Sequence, residues 1–127
     1  MKIWNNKRKR SQKQAAEAKN FLLELLRPYT WTPHPTAEEN AQAAEVLRQI
    51  LAYLRELLPG PRTVPIPEMG RCQLDYLIPL MATEEKLRSG DCWNACHELM
   101  NLVYFYPVLR PGIRQNVIGL LEEYLEG

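Results

Sequence analysis

Glycine is scarce in this chain and never clustered: six are scattered through 127 residues. That spacing excludes the phosphate-cradling loops of P-loop and dinucleotide-binding proteins, which need several glycines at fixed intervals between a strand and a helix. Long apolar runs are missing too. "FLLELL" and "YLIPLM" fall far short of the roughly 20 residues that a membrane helix requires, so no span is predicted. Strand-like alternation is absent apart from "RTVPIP" (62–67), which could run extended. Cysteine is limited to three, an odd number that suits reduced thiols better than a disulfide framework. The first residues, "MKIWNNKRKRSQKQ", are basic but lead into no apolar segment with a cleavage site. They therefore predict no secretory signal and a cytoplasmic location.

What is present is ordinary for a compact globular protein: 46% apolar and 24% charged residues, enough chain for one domain with a real core. The net charge of +1 hides an asymmetry. Residues 1–20 carry seven Lys or Arg against one Glu, a net of +6, and the remainder carries nine against fourteen, a net of −5. The chain thus divides into a basic N-terminal arm, residues 1–10, and a helical domain, residues 11–127. Such an arm either frays as a solvated start to the first helix or docks on nucleic acid, anionic lipid or an acidic protein surface.

Seven of the ten prolines lie in "RPYTWTPHP" (27–35) and "PGPRTVPIP" (59–67). Both read as connectors, because each proline removes a backbone donor and biases its predecessor away from the helical region. Around them the apolar spacing predicts an all-α bundle of about five helices, at 11–27, 36–58, 72–89, 92–106 and 112–126. Ala15, Ala18, Leu22, Leu25 and Leu26 form the stripe of the first, whose basic turn could extend it backwards. In the second, Thr36 followed by Glu39 forms a capping box ahead of Ala44, Leu47, Leu51, Leu54 and Leu58. The third presents Leu74, Leu77, Ile78 and Met81, with Pro79 either kinking it or starting a second segment. Gly90 is a left-handed stop and Asp91 an N-cap for the fourth. The fifth faces inward through Ile113, Val117, Leu120, Leu121 and Tyr124.

"GDCWNACHEL" (90–99) places two cysteines, a histidine and a glutamate close together. On a helix, Cys92, Cys96, Leu99, Val103 and Tyr106 share one stripe, Trp93, His97, Met100 and Tyr104 a second, and Asn94, Glu98 and Asn101 a polar third. A tetrahedral zinc could draw on Cys72, Cys92, Cys96 and either histidine, His97 or His34, yet the spacing is not that of a zinc knuckle, and buried free cysteines behave as small apolar residues. Core packing is the expectation, with no metal and no cofactor. Haem attachment needs a spacer one residue shorter. A metalloprotease helix needs a histidine where Asn101 stands. Cys96 among apolar neighbours would have a raised pKa, which disfavours a thiolate nucleophile. The carboxylate pairs Glu38/Glu39, Glu84/Glu85 and Glu122/Glu123 fall at helix ends or on solvated faces. Those of 122–126 sit where the helix dipole disfavours them, as a tolerated surface run or opposite a basic partner. No catalytic constellation emerges, and the chain is not expected to be an enzyme.

From Gly90 to Pro107 the sequence resembles the second helix of a tetratricopeptide repeat: Gly90 and Asp91 stand at the turn, Ala95 at the small packing position and Pro107 at the closing proline. The resemblance covers these eighteen residues. Upstream, Pro79 replaces the usual tryptophan and Thr83 the usual glycine, and no second copy occurs at the repeat period. It implies a helical hairpin and, if that packs as those repeats do, a concave protein-binding face. Two functional readings follow. A protein-interaction module of adaptor or inhibitor type would use aromatics left over from the stripes: Tyr29, Trp31 and Phe105. A nucleic-acid-binding protein would use residues 1–13, with Lys7, Arg8, Lys9, Arg10 and Lys13 on phosphates and Trp4 as a stacking neighbour.

Overall fold

A computed structural model of the chain describes the backbone of residues 2–57 and 75–126, and side chains from Lys13 onward within those limits except at Pro111. Five α-helices occur in the order α1 (Lys2–Leu26), α2 (Ala37–Glu56), α3 (Leu77–Arg88), α4 (Cys92–Phe105) and α5 (Pro111–Leu125), with no strand among the described residues. The protein is all-α. α4 lies at the centre, packed on α3 most extensively and then on α2 and α1, while α5 closes the far side against α2 and α3.

Each boundary has a local cause. Thr36 caps α2 with the expected box: its hydroxyl accepts from the Glu39 N–H at 3.1 Å, and the Glu39 carboxylate accepts from the Thr36 N–H at 2.8 Å. Gly90 takes φ +80° after α3, a conformation that costs glycine little and other residues more. Its N–H donates to Leu87 O, and the next N–H, of Asp91, donates to Lys86 O at 2.8 Å, the paired bonds of a Schellman ending. Asp91 then caps α4 by accepting from the Asn94 N–H. Gly90 and Asp91 therefore act as the stop and start expected of them, and α3 and α4 form the helical hairpin. Tyr106 is extended ahead of Pro107 and ends α4, and Pro111 opens α5, at the position where a missing N–H costs nothing.

Three expectations are corrected. α1 begins at Lys2 rather than near Ser11, so the backbone of the basic segment is helical and continuous with the core-packing half. α3 begins at Leu77, so that of the two alternatives Pro79 stands at the start of a helical segment: it is the third helical residue, where the N–H has no intrahelical acceptor to lose. Residues 72–74, the expected start, and the second connector lie outside the described residues. Finally, α3 is rotated from its expected orientation. Ile78 and Met81 are 72% and 67% exposed, and Thr83 and Leu87 are buried instead. Thr83 can be buried because its hydroxyl donates to Pro79 O at 2.7 Å, using the same turn of helix to satisfy itself.

The core follows the expected stripes elsewhere, shifted by one residue in places. Ala18, Leu22 and Leu26 of α1 are buried, whereas Ala15 is exposed. α2 contributes Ala43, Leu47, Ile50, Leu51 and Leu54, so that Ala43 takes the place expected of Ala44. α4 contributes Ala95, Cys96, Leu99, Leu102 and Val103, and α5 Ile113, Val117, Leu120 and Leu121. At the α2–α5 junction, Arg55 donates to Glu126 at 2.6 and 2.8 Å and pairs with Glu122 at 3.2 Å. The carboxylates at the C-terminus thus meet a cation within the chain.

Candidate functional surface

α4 has two unlike ends, and the residues expected to contact a partner are divided between them. At its N-terminal end the first connector is fastened to the helix by side chains. Asn94, placed on the polar stripe from sequence, is fully buried. Its carbonyl accepts from the Thr32 N–H at 2.9 Å, and its amide donates to Thr32 O at 2.7 Å and to the Asp91 carboxylate at 2.8 Å. The Trp93 indole donates to Thr30 O at 2.7 Å, and the Trp93 backbone N–H to the Asn40 side chain at 3.1 Å. Burying an amide is tolerable only when it is satisfied in this way. Asn94 is a residue that polarity alone assigned to the surface; its position three residues after a capping aspartate was the available clue.

Between these anchors sits Trp31, 52% exposed, with Lys86 Nζ 4.7 Å from its ring centroid. Trp31 is thus displayed as expected. Tyr29 is not: it is 2% exposed and packs edge-on against Trp93 at 4.6 Å between centroids. The tight turn after α1, in which the Tyr29 N–H donates to Leu26 O, swings the ring inward and makes it core. Burial, with the Cys96 thiol beside it, pushes its hydroxyl above the ordinary tyrosine range.

At the opposite end, about 15 Å along the helix at 1.5 Å per residue, Tyr104 and Phe105 are 58% and 69% exposed and stack edge-to-face at 4.8 Å. They flank a groove of about 270 Å³ whose floor includes Ala15 and Ala16 of α1, Val103, and the Pro107–Leu109 turn. Lys19 borders it, its ammonium 5.3 Å from the Tyr104 ring centroid. Phe105 was expected at a binding surface. Tyr104 and Lys19 were missed, since Tyr104 continues a half-apolar stripe and Lys19 is an isolated cation on the outer face of α1. Lys13, one turn before Ala16, is exposed. The side chains of Trp4, Lys7, Arg8, Lys9 and Arg10 lie outside the described residues. A third aromatic pair, Phe21 of α1 and Tyr53 of α2 at 4.3 Å, bridges those helices at the surface.

The cysteines of α4 behave as packing residues. Cys96 is fully buried and its thiol donates to Ala43 O at 3.6 Å; burial, reinforced by Cys92, pushes its pKa far up. Cys92 is half-buried and raised for the same first reason, against the opposing pull of Arg48. A thiol held neutral is a weak nucleophile and a weak ligand. Cys72 lies outside the described residues, and among those described no cluster of three or more His, Cys, Asp or Glu could hold a metal ion. His97 has a buried Nδ1 with no hydrogen-bond partner. No described helix is long and apolar enough to cross a membrane. Comparison with known protein families, with curated proteins and with solved structures finds no match.

Proposed function

We propose that this protein is a small non-catalytic interaction module, of adaptor or inhibitor type, that binds another protein through the groove between α1 and the C-terminal end of α4. One observation carries the reading: two adjacent aromatics, each more than half exposed, stand over an apolar groove. Aromatic side chains lose little conformational entropy on binding, bury a large area, and dominate the centres of protein interfaces. A single exposed aromatic is common on monomers; a pair beside a concave apolar floor is a better anchor point. Trp31, held rigid by Asn94 and Trp93 at the other end of α4, is a second contact on the same module. The free thiols of Cys92 and Cys96 suit action in the cytoplasm.

Affinity capture with the full chain and with a Tyr104→Ala, Phe105→Ala double variant, followed by quantitative mass spectrometry, tests this. Partners should be lost from the variant while its helical circular dichroism is unchanged. If every partner persists at the same occupancy, the groove is not the interface. Trp31→Ala in parallel reports whether the fastened connector shares the same partner.

A second reading, nucleic-acid binding through Trp4, Lys7, Arg8, Lys9, Arg10 and Lys13, is favoured by the helical backbone from Lys2 onward. It would carry these cations on a regular extension of α1 rather than on a loose tail. Such binding would fall steeply with salt and show little sequence preference. A salt series with generic DNA and RNA, with and without residues 1–13, decides it: unchanged binding after deletion removes the reading.

A further inference from the structure

The groove beside Tyr104 and Phe105 has a charge character as well as a shape. Of the described residues that line it, Lys19 alone is charged, and no carboxylate is among them. Lys13 is exposed one helical turn from Ala16 on the groove floor, within reach of the same bound chain by the i, i+3 geometry of a helix. Farther along α1 the sequence adds Lys7, Arg8, Lys9 and Arg10 before any acidic residue appears. The nearest carboxylate on α4, Glu98, lies two turns before Phe105, and on α1 Glu17, although next to Ala16 in sequence, is not among the residues that line the groove.

We infer that the groove receives an acidic peptide segment of another protein, one that carries a bulky apolar side chain flanked by aspartate or glutamate. This rests on the groove being the binding site and names what occupies it. The apolar side chain enters between the aromatic pair and the aliphatic floor; the flanking carboxylates face Lys19 and Lys13. A nucleic acid strand shares the charge but not the floor. Its bases could stack on Tyr104 or Phe105, but a strand gains most of its affinity from several cations along its phosphates, and it would leave the aliphatic floor of Ala15, Ala16 and Val103 uncovered. A basic or neutral partner would forgo the charge that Lys19 and Lys13 offer.

The test is a random dodecamer peptide library displayed and selected on the full chain, with counter-selection on Phe105→Ala. Binders that depend on Phe105 should be enriched in sequences of net negative charge with at least one Leu, Ile, Phe or Trp. A synthetic copy of the strongest should lose affinity about tenfold with Phe105→Ala and several-fold with Lys19→Glu or on raising salt from low to about 0.5 M, where screening is severe. A 20-residue oligo(dT) should not displace it. Phe105-dependent binders that are neutral or basic would overturn the acidic occupant while leaving the groove as an interface. Displacement by oligo(dT) would overturn it in favour of nucleic acid. No Phe105-dependent binder at all would overturn both the occupant and the site.

Discussion

The two ends of α4 handle leftover side chains in opposite ways. At the N-terminal end a buried polar side chain is paired across the chain: Asn94 makes three side-chain hydrogen bonds while fully buried, and Asp91 caps the helix and braces that amide. At the C-terminal end, two large aromatic side chains remain in solvent over a groove that no described residue fills. Within one helix of fourteen residues, polar chemistry closes the structure and apolar surface is left outward. The difference shows that burial here is governed by satisfaction of hydrogen bonds as much as by hydrophobicity. It also separates residues that hold the fold from residues available to a partner.

Substitutions should break this contrast unequally. Asn94→Leu should have the largest effect, because it strands the Thr32 N–H and C=O and removes a brace from Asp91. The expected loss is about 3 kcal/mol in urea unfolding, with Trp31 becoming mobile by its fluorescence anisotropy. A loss within experimental error would mean that the connector is held by other contacts. Trp93→Phe should cost less, about 1 kcal/mol, since it deletes one bond to Thr30 O and retains a ring against Tyr29. The double change Tyr104→Ala, Phe105→Ala should alter stability by no more than about 0.5 kcal/mol, despite removing two aromatic rings. A larger destabilisation would show that the C-terminal end is part of the core and not an open surface.

The smallest effect is expected away from α4 and gives a baseline. Hydrogen bonding from Arg55 holds the Glu126 carboxyl below its ordinary value of 4.5. A carboxylate whose pKa is lowered in the folded state stabilises that state above its unfolded pKa and loses the contribution as pH falls through the folded value. Glu126→Gln should therefore melt slightly lower than the parent at neutral pH. The two curves should converge once the pH has fallen through the lowered folded-state pKa of Glu126, where the carboxyl is protonated in both states of the parent. A gap that persists into acid would mean that packing, not charge, accounts for it. Being solvent-exposed, the pair is expected to shift melting by little.

How much of this was legible beforehand varied with the residue. Gly90, Asp91, Thr36 with Glu39, and the Cys96, Leu99, Val103 stripe were readable because caps and helical periodicity are local properties. The exposure of Trp31 and Phe105 was readable as an excess of aromatics over stripe positions. Tyr29 was misread because its burial depends on a turn that aims it at Trp93, a residue more than sixty positions away. Ile78 and Met81 were misread because a helix with apolar residues on more than one side does not say which side meets its neighbour. Lys19 and Tyr104 were missed for a similar reason: a groove between two helices belongs to neither sequence segment alone.

The sequence by itself determined an all-helical chain, the punctuation of most of its helices and the identity of the central stripe, since hydrogen-bonded caps and the 3.6-residue period operate over a few neighbouring residues. Only the tertiary structure decided which apolar residues became core and which remained outside. That choice depends on how far each helix is rotated against its neighbours and on which buried polar groups find partners across the chain. Asn94 and Phe105 illustrate it: the amide is inside because Thr32 meets it, and the ring is left outside, touched edge-on by its neighbour Tyr104 rather than covered by another helix.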